Sequence, residues 1–312
     1  MRRIFLFLLI GLFLSSLLTG CSRSDSLSNM ENEKGSGQKK EYLKIISTAP
    51  SITETLFEMG LGSRVIAVSD YCVHPKEIEK LPKIGGLYNP NYEAVIALKP
   101  DLVIVLKENA EYGKRLQAFG ISVLQINQHT INGIFESFRL IGSIIGGEYQ
   151  KKGEDLERSM RARIENVRSK TKDRKRPSVL ISIDRQRGTG QISDVFIAGN
   201  NSYFNEILEI AGGMNPAKEM SIAVPVVSVE GIMDLNPDVV IDLATDWNNR
   251  LGEKNEKWIA LCQKDWMSLD SRIGAVKMER IYAIPEDYAT VPGPRVILLI
   301  ERIAKMLHPE CF

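Results

Sequence analysis

The chain has 312 residues, of which 44% are hydrophobic and 25% are charged, a composition typical of a globular protein of about two domains. Its 40 Lys and Arg residues nearly balance its 39 Asp and Glu residues, so the net charge is +1. This balance argues against nucleic acid as the main partner, because binding to phosphates needs a surplus of cations on one face.

The chain begins with a segment typical of secretory signals. Arg2 and Arg3 precede a mostly apolar run over residues 4–18, and Leu18-Thr-Gly-Cys21 closes the segment. The run is shorter than the about 20 residues that a membrane-spanning helix needs. The Leu-Thr-Gly-Cys ending resembles the bacterial lipobox, in which the cysteine is lipidated and becomes the N-terminus. We therefore expect residues 1–21 to be a lipoprotein signal peptide with Cys21 as its lipidation site, and an uncleaved signal anchor is the alternative.

The next segment, residues 22–41, is polar and rich in Ser and Gly. It has too few apolar side chains to offset the entropy of ordering, so we expect a flexible spacer.

From residue 42 the pattern becomes that of an α/β lobe. Short apolar runs predict strands, and amphipathic stretches predict helices between them. The predicted strands cover residues 43–46, 64–68 and 121–126, and the predicted helices cover 51–59, 109–118 and 131–145.

One stretch of sequence occurs twice. Residues 93–104 and 230–241 each contain a glutamate, a short apolar turn, a Pro-Asp pair and a β-branched run, with the glutamate seven residues before the proline. The Pro-Asp pair predicts the end of a helix and the start of a buried parallel strand. The repetition predicts two similar lobes that carry Glu93 and Glu230 at equivalent places.

Residues 148–176 are highly charged, with sparse apolar residues that form one narrow helical stripe. Neither Gly nor Pro interrupts residues 154–176, which predicts one long helix between the lobes. The basic run 170–176 is better explained as a solvated helix end than as a nucleic-acid patch, because it lacks interleaved aromatic residues.

The second lobe shows the same alternation of strands and helices. Its predicted strands cover residues 178–183, 195–199 and 280–284, and its predicted helices cover 201–211, 254–263 and 293–307. We thus expect an N-terminal α/β lobe at 42–147, a linker helix at 148–176 and a C-terminal α/β lobe at 177–312, with mainly parallel sheets.

Aromatic and basic residues are concentrated in the predicted loops after strands, where α/β sheets usually bind ligands. Such side chains suit a bulky, flat or chelated ligand in a cleft between the lobes. The set comprises Tyr71, Tyr88, Phe196, Trp247 and Tyr288, with Arg185, Arg187 and Arg250. His74 and Tyr71 could also serve as axial ligands of a chelated metal, although a histidine before a proline is more often a turn residue.

Motifs for catalysis and for a resident metal are weak. Gly85-Gly86 and Gly188-Thr-Gly190 lack the spacing of phosphate-binding loops, and the chain has only three histidines. Cys72, Cys262 and Cys311 form no zinc pattern, although an exported protein permits a disulfide between the last two. We expect no catalytic residue, no cofactor and no structural metal.

Four motifs together resemble the periplasmic binding proteins for cobalamin and ferric siderophores, which are substrate-binding components of ABC importers. These are Ile45-Ile-Ser-Thr-Ala-Pro-Ser-Ile-Thr-Glu54, Leu81-Pro-Lys-Ile-Gly-Gly86, Glu93-Ala-Val-Ile-Ala-Leu-Lys-Pro-Asp101 and Pro292-Gly-Pro-Arg295. The resemblance implies two Rossmann-like lobes joined by one long helix, with the ligand held between them. It also implies that Glu93 and Glu230 dock onto arginines of the permease, although ordinary glutamates are also favoured in the first turn of a helix.

The resemblance implies an extracytoplasmic, lipid-anchored and monomeric receptor in the cell envelope, which delivers a metal chelate to an ABC permease. The tyrosine-rich loops lean towards a corrinoid such as cobalamin, whereas Arg185, Arg187 and Arg250 would suit a ferric siderophore if they face the cleft. An exported α/β enzyme that acts on a small metabolite in the same cleft is the alternative from another functional class.

Overall fold

The computed structural model describes residues 40–86, 89–245 and 256–312. The N-terminal lobe contains one parallel sheet. Its strands lie in the order β2-β1-β3-β4, and every neighbouring pair is parallel. The elements are β1 (Ile45–Ser47), α1 (Pro50–Glu58), β2 (Val65–Val68), α2 (Tyr92–Ala97), β3 (Leu102–Leu106), α3 (Ala110–Ala118), β4 (Val123–Ile126) and α4 (Ile131–Ile145).

Both faces of this sheet are covered, which explains why its strands are continuous apolar runs. Along β3, Leu102 and Ile104 pack towards α1 and α4, whereas Val103 and Val105 pack towards α2 and α3. Successive side chains of a strand point to opposite faces, so one uninterrupted run supplies two cores.

The linker helix α5 (Glu148–Thr171) is 24 residues long. It packs against α4 through a stripe that includes Met160, Ile164 and Val167, all of which are buried. The helix lies within the predicted range 148–176 and ends at Thr171, within the basic run 170–176.

The C-terminal lobe contains a five-stranded sheet in the order β7-β6-β5-β8-β9. Strands β5, β8 and β9 are parallel, whereas β6 is antiparallel to both of its neighbours. The elements are β5 (Val179–Arg185), β6 (Val195–Ile197), α6 (Tyr203–Ile210), β7 (Val226–Val227), α7 (Val229–Leu235), β8 (Val239–Asp242), α8 (Glu256–Met267), α9 (Gly274–Lys277), β9 (Ile281–Ala283) and α10 (Val296–Leu307).

The sequence repeat corresponds to two equivalent pieces of structure, α2–β3 and α7–β8. In both, the residue before the proline has a left-handed backbone, with φ of 48° at Lys99 and 40° at Asn236. In both, the side chain of the aspartate after the proline accepts a hydrogen bond from the backbone N–H just before a neighbouring strand. Asp101 accepts from Lys44, before β1, at 2.8 Å, and Asp238 accepts from Ser178, before β5, at 2.9 Å. The repeat therefore encodes the same helix-to-strand turn in each lobe.

The two-lobed α/β fold predicted from the sequence is confirmed, while the exact lobe boundaries stay predictions. Residues 41–312 form one compact unit. Among the helices of the described ranges, none combines the length and the apolar character needed to cross a membrane.

Candidate functional site

The candidate site lies where the carboxyl-terminal edges of the two sheets meet. The strand ends at this edge are Ser47, Val68, Leu106 and Ile126 in one lobe and Arg185, Asp242 and Ala283 in the other. Two contacts between the lobes show that these edges adjoin: Arg295 binds Glu54, and Glu206 accepts the backbone N–H of Ile131 at 3.2 Å. Ligands of α/β sheets bind at such strand ends, so the loops between these contacts define the candidate cleft.

An ion cluster forms part of the boundary between the lobes. The guanidinium of Arg295, just before α10, donates to Glu54 of α1 at 3.0 and 2.6 Å. The same group donates to Asp287 at 2.9 and 2.6 Å. Burial raises the pKa of Glu54 because it disfavours the charged carboxylate more than Arg295 favours it. Burial also opposes the charge on Asp287, but the hydrogen bonds from Arg295 outweigh it and lower the pKa of Asp287.

Tyr288 is adjacent to this cluster. Its hydroxyl accepts a hydrogen bond from Arg302 Nη1 at 3.3 Å, and the Arg295 guanidinium lies 5.7 Å from the centre of its ring. The side chain is half-buried, with Arg302 at its hydroxyl and Arg295 beside its ring. Tyr288 is thus placed at the lobe boundary, where the sequence predicts a ligand contact.

Tyr71 and Phe196 are partly exposed aromatic side chains near strand ends. Tyr71, in the loop after β2, is 46% exposed and lies against Gly86, where an added Cβ would be 3.1 Å from the tyrosine ring. Phe196 is 43% exposed and pairs across β6 and β7 with Val226, which is 51% exposed. These side chains could pack against a flat ligand, and their ligand contacts stay predictions. Tyr88, Trp247 and Arg250 lie outside the described residues.

Arg185 has a different environment from the one the sequence suggested. Its side chain is 1% exposed, and its guanidinium donates to Asp242 at 2.9 Å, to Asp265 at 2.8 Å and to the Cys262 carbonyl at 3.1 Å. Arg187 also donates to Asp242, at 3.0 Å. Both guanidinium groups are therefore committed to the interior of the C-terminal lobe, and the geometry does not support Arg185 as a ligand contact.

Asp265 anchors the loop that follows β5. Burial opposes its charge, but hydrogen bonds from Arg185 and from the backbone N–H groups of Gly188 and Gly190 outweigh this effect and lower the pKa of Asp265. Gly188 and Gly190 both have positive φ, at 75° and 76°. The Gly-Thr-Gly segment thus wraps a carboxylate of its own chain, which accords with its interpretation as turn glycines.

A small recess lies at the ends of β1, β2 and β3 in the N-terminal lobe. Its lining contains no charged residue and comprises Thr48, Ser69, Ile84, Gly85, Gly86, Pro90, Asn109 and Tyr112. The Tyr112 hydroxyl is buried and has no hydrogen-bond partner among the described residues. Burial also raises the pKa of Tyr112 and keeps it neutral. Tyr112 is not predicted from the sequence, because it lies on a helix face that has the pattern of ordinary core.

The described ranges contain no cluster of three or more His, Cys, Asp or Glu side chains that could hold a metal ion. His74 is exposed, and partial desolvation together with the nearby Arg295 lowers its pKa. Cys72, Cys262 and Cys311 are all free thiols, so the structure does not contain the Cys262–Cys311 disulfide that the sequence permits.

Glu93 and Glu230 occupy equivalent places on the two lobes. Each is the second residue of a helix whose start is capped by a side chain: Asn91 caps α2, and Ser228 caps α7. Both carboxylates are exposed. Helix α2 leads into the beginning of β3, and α7 leads into the beginning of β8, so the N-terminus of each helix lies at the carboxyl edge of its sheet. The two glutamates therefore stand on the cleft side of their lobes.

Comparison with known proteins gives consistent results. A family model described as "Periplasmic binding protein" matches residues 45–288. An uncharacterised ABC transporter substrate-binding lipoprotein of Bacillus subtilis is 32% identical over 88% of this chain and 82% of its own length. A vitamin B12-binding protein of Vibrio vulnificus is 26% identical over 84% of this chain and 89% of its own length.

Similarity to solved structures supports the fold. The periplasmic haem-binding protein of Roseiflexus sp. RS-1 superposes with a TM-score of 0.70, covering 87% of this chain and 100% of that chain at 22% identity. At this identity the likeness bears on the two-lobed fold and not on the ligand.

Proposed function

The chain belongs to the periplasmic binding protein family, and we propose that it is the lipid-anchored receptor of an ABC importer for a metal chelate. Members of this family are solute-binding components of transporters and not enzymes, so the alternative of an exported enzyme is set aside. The proposed ligand is a corrinoid such as cobalamin, a ferric siderophore or haem, held between the lobes and delivered to the permease.

The observation that carries this proposal is the cleft edge itself. Strand ends of both lobes meet there, and Tyr71, Phe196 and Tyr288 are the aromatic side chains that we propose to pack against a flat ligand. Two of the three arginines that would suit an anionic siderophore, Arg185 and Arg187, are committed to Asp242 and Asp265, and the third, Arg250, lies outside the described residues. A ligand held mainly by apolar and aromatic contacts, such as a corrinoid, is therefore favoured over a catecholate.

The test is a titration of the soluble part of the chain, from residue 41 onward, with cyanocobalamin, haem and several ferric siderophores. Binding is read by quenching of intrinsic fluorescence and confirmed by calorimetry. We expect one chelate to bind at a 1:1 ratio with a dissociation constant at or below about 1 μM. Failure of every chelate to bind would refute the ligand proposal.

The lipid anchor is tested separately, in cells. Replacement of Cys21 by Ser removes the only proposed acceptor thiol, so we expect the protein to move from the membrane fraction to the soluble extracytoplasmic fraction. Retention of the variant in the membrane would favour an uncleaved signal anchor instead.

Docking onto the permease is proposed for Glu93 and Glu230 together. Reversal of both charges, by Glu93→Lys with Glu230→Lys, should abolish uptake of the chelate while its affinity for the isolated receptor stays within about a factor of two, because rim charges govern partner recognition. Glu111→Lys with Glu219→Lys, which are two other exposed glutamates, is the matched control. Unchanged uptake in the first double variant would remove this docking assignment.

A further inference from the structure

Residues that are far apart in sequence join the two lobes directly, away from the linker helix. Arg295 of the C-terminal lobe and Glu54 of the N-terminal lobe are separated by 241 positions, and they make two hydrogen bonds, at 3.0 and 2.6 Å. The Glu54 side chain is 3% exposed and that of Arg295 is 18% exposed. This pair is therefore largely removed from solvent, unlike ordinary surface ion pairs.

The backbones also touch at this point. A Cβ added at Gly293 would lie 3.3 Å from both the Ser51 Cα and the Glu54 carboxylate, and 3.4 Å from the Ser51 carbonyl oxygen. These distances are shorter than most Cβ contacts, so a larger residue at position 293 would push the segment before α10 and the first turn of α1 apart by a few tenths of an ångström. The ion pair and this glycine contact together fix the distance between the lobes at the cleft boundary.

The guanidinium of Arg295 serves both lobes at once. Its Nε and Nη2 groups donate to Glu54 across the boundary, and its Nη1 and Nη2 groups donate to Asp287 in its own lobe, so each carboxylate is bound by two hydrogen bonds. The two carboxylates together accept four hydrogen bonds from the five N–H groups of this guanidinium. Separation of the lobes would remove Arg295, the cation that is hydrogen-bonded to the nearly buried Glu54 carboxylate, so this contact resists separation of the lobes.

The same guanidinium lies 5.7 Å from the ring centre of Tyr288, which follows Asp287 in sequence. The position of this aromatic surface at the cleft thus depends on the group that ties the lobes together. Arg302 holds the tyrosine hydroxyl from the other side at 3.3 Å.

We propose that Arg295 is a positioning residue: it braces the two lobes through Glu54 and sets both the width of the cleft and the place of Tyr288. This inference rests on the proposed function for the identity of the ligand, but the brace itself is a property of the free protein. A cleft that is already set before the ligand arrives binds without the cost of selecting a closed form.

The experiment compares Glu54→Gln with the wild type. Spin labels are placed on exposed positions of the two lobes, through Lys114→Cys and Arg272→Cys in a Cys311→Ser background, and their separation is measured by pulsed electron paramagnetic resonance. Without ligand, we expect a longer mean distance and a broader distribution in Glu54→Gln. For whichever of cyanocobalamin, haem and the ferric siderophores binds the wild type, we also expect about tenfold weaker binding, as when only about a tenth of the molecules hold a binding-competent cleft.

The matched control is Glu301→Gln. Glu301 accepts two hydrogen bonds from Arg163, at 2.8 and 2.7 Å, but that pair joins α5 to α10 and does not reach the first lobe's sheet. This control should change neither the label distance nor the affinity. Gly293→Val is a second variant, which should widen the cleft by steric contact with Ser51 while Glu54 is kept.

The outcomes separate the two proposals. An unchanged label distance in both Glu54→Gln and Gly293→Val overturns the brace, whatever happens to affinity. A changed distance with no chelate bound by any form of the protein supports the brace and refutes the ligand proposal. A changed distance with weakened binding supports both.

Discussion

The substitution Arg185→Met distinguishes the two roles that Arg185 could have. If it contacts the ligand, its loss weakens binding; if it holds the interior of the C-terminal lobe, its loss weakens the fold. Removing one partner of a buried ion pair costs about 3–5 kcal/mol, because the remaining charge is left uncompensated. Here Asp242 keeps Arg187, and Asp265 keeps two backbone N–H groups, so we expect about 3 kcal/mol.

A loss of about 3 kcal/mol corresponds to a fall in melting temperature of roughly 6–12 °C for a domain of this size. The assay is urea denaturation followed by circular dichroism, with chelate affinity measured at a temperature where the variant is folded. Arg272→Met is the control, because the Arg272–Asp270 pair is solvent-exposed and should contribute nothing measurable. Unchanged stability together with a more than tenfold loss of affinity would refute the buried-network role.

The loss of stability in Arg185→Met should depend on pH, because Arg185 is hydrogen-bonded to the titratable carboxylate of Asp265. Hydrogen bonds hold its pKa below the ordinary value of 3.8 in the folded state, so its charged form stabilises the fold above that pH. This stabilisation disappears as the pH falls through the lowered pKa. Arg185→Met removes one of the lowering partners, so the difference between variant and wild type should be full at neutral pH and should narrow below about pH 4. A difference that stays constant into acid would show that Arg185 does not act through Asp265.

Two further predictions concern thiols and the sequence repeat. Of Cys72, Cys262 and Cys311, only Cys311 should react readily with a thiol reagent at pH 8 in the native protein. Cys72 and Cys262 are at most 2% exposed, and burial raises the pKa of Cys262 to about 12, so both should react only after denaturation; loss of the Cys311 reaction under oxidising conditions would instead indicate a disulfide. Lys99→Gly should stabilise the protein by about 0.5–1 kcal/mol in urea denaturation, because glycine adopts the left-handed backbone without strain. Asn236→Gly should not stabilise the protein, because this variant loses the hydrogen bond that the Gly274 N–H donates to the Asn236 side chain at 2.9 Å.

Much of the fold could be predicted because its elements carry local signals. The parallel strands are continuous apolar runs, and the repeated Pro-Asp pair marks the entry into β3 and β8. The sequence did not reveal that β6 and β7 run antiparallel to their neighbours. These strands have only 3 and 2 residues, and the direction of a strand depends on the connection that precedes it rather than on its own composition.

The candidate site was harder to predict because the environment of a charged side chain depends on distant partners. Arg185 ends an apolar strand and Arg295 precedes an apolar helix, and neither local sequence shows which carboxylate the guanidinium will bind. The first is enclosed by Asp242 and Asp265, which are 57 and 80 positions away, and the second reaches Glu54 across the lobe boundary. Glu54 and Arg295 lay within the family motifs, so they could have been singled out, but only the fold shows that they meet.

The brace and the proposed docking residues are linked by geometry. Glu93 and Glu230 each occupy the second position of an equivalent helix, so each is fixed relative to its own sheet. Their separation therefore depends on how the two lobes are held together, to which the linker helix, the Arg295–Glu54 contact and the Glu206–Ile131 contact contribute. A permease that grips both glutamates at once would be sensitive to that separation. It follows that Glu54→Gln should reduce uptake more than its loss of ligand affinity accounts for, whereas Tyr288→Ala, which leaves the brace intact, should reduce uptake only in proportion to affinity.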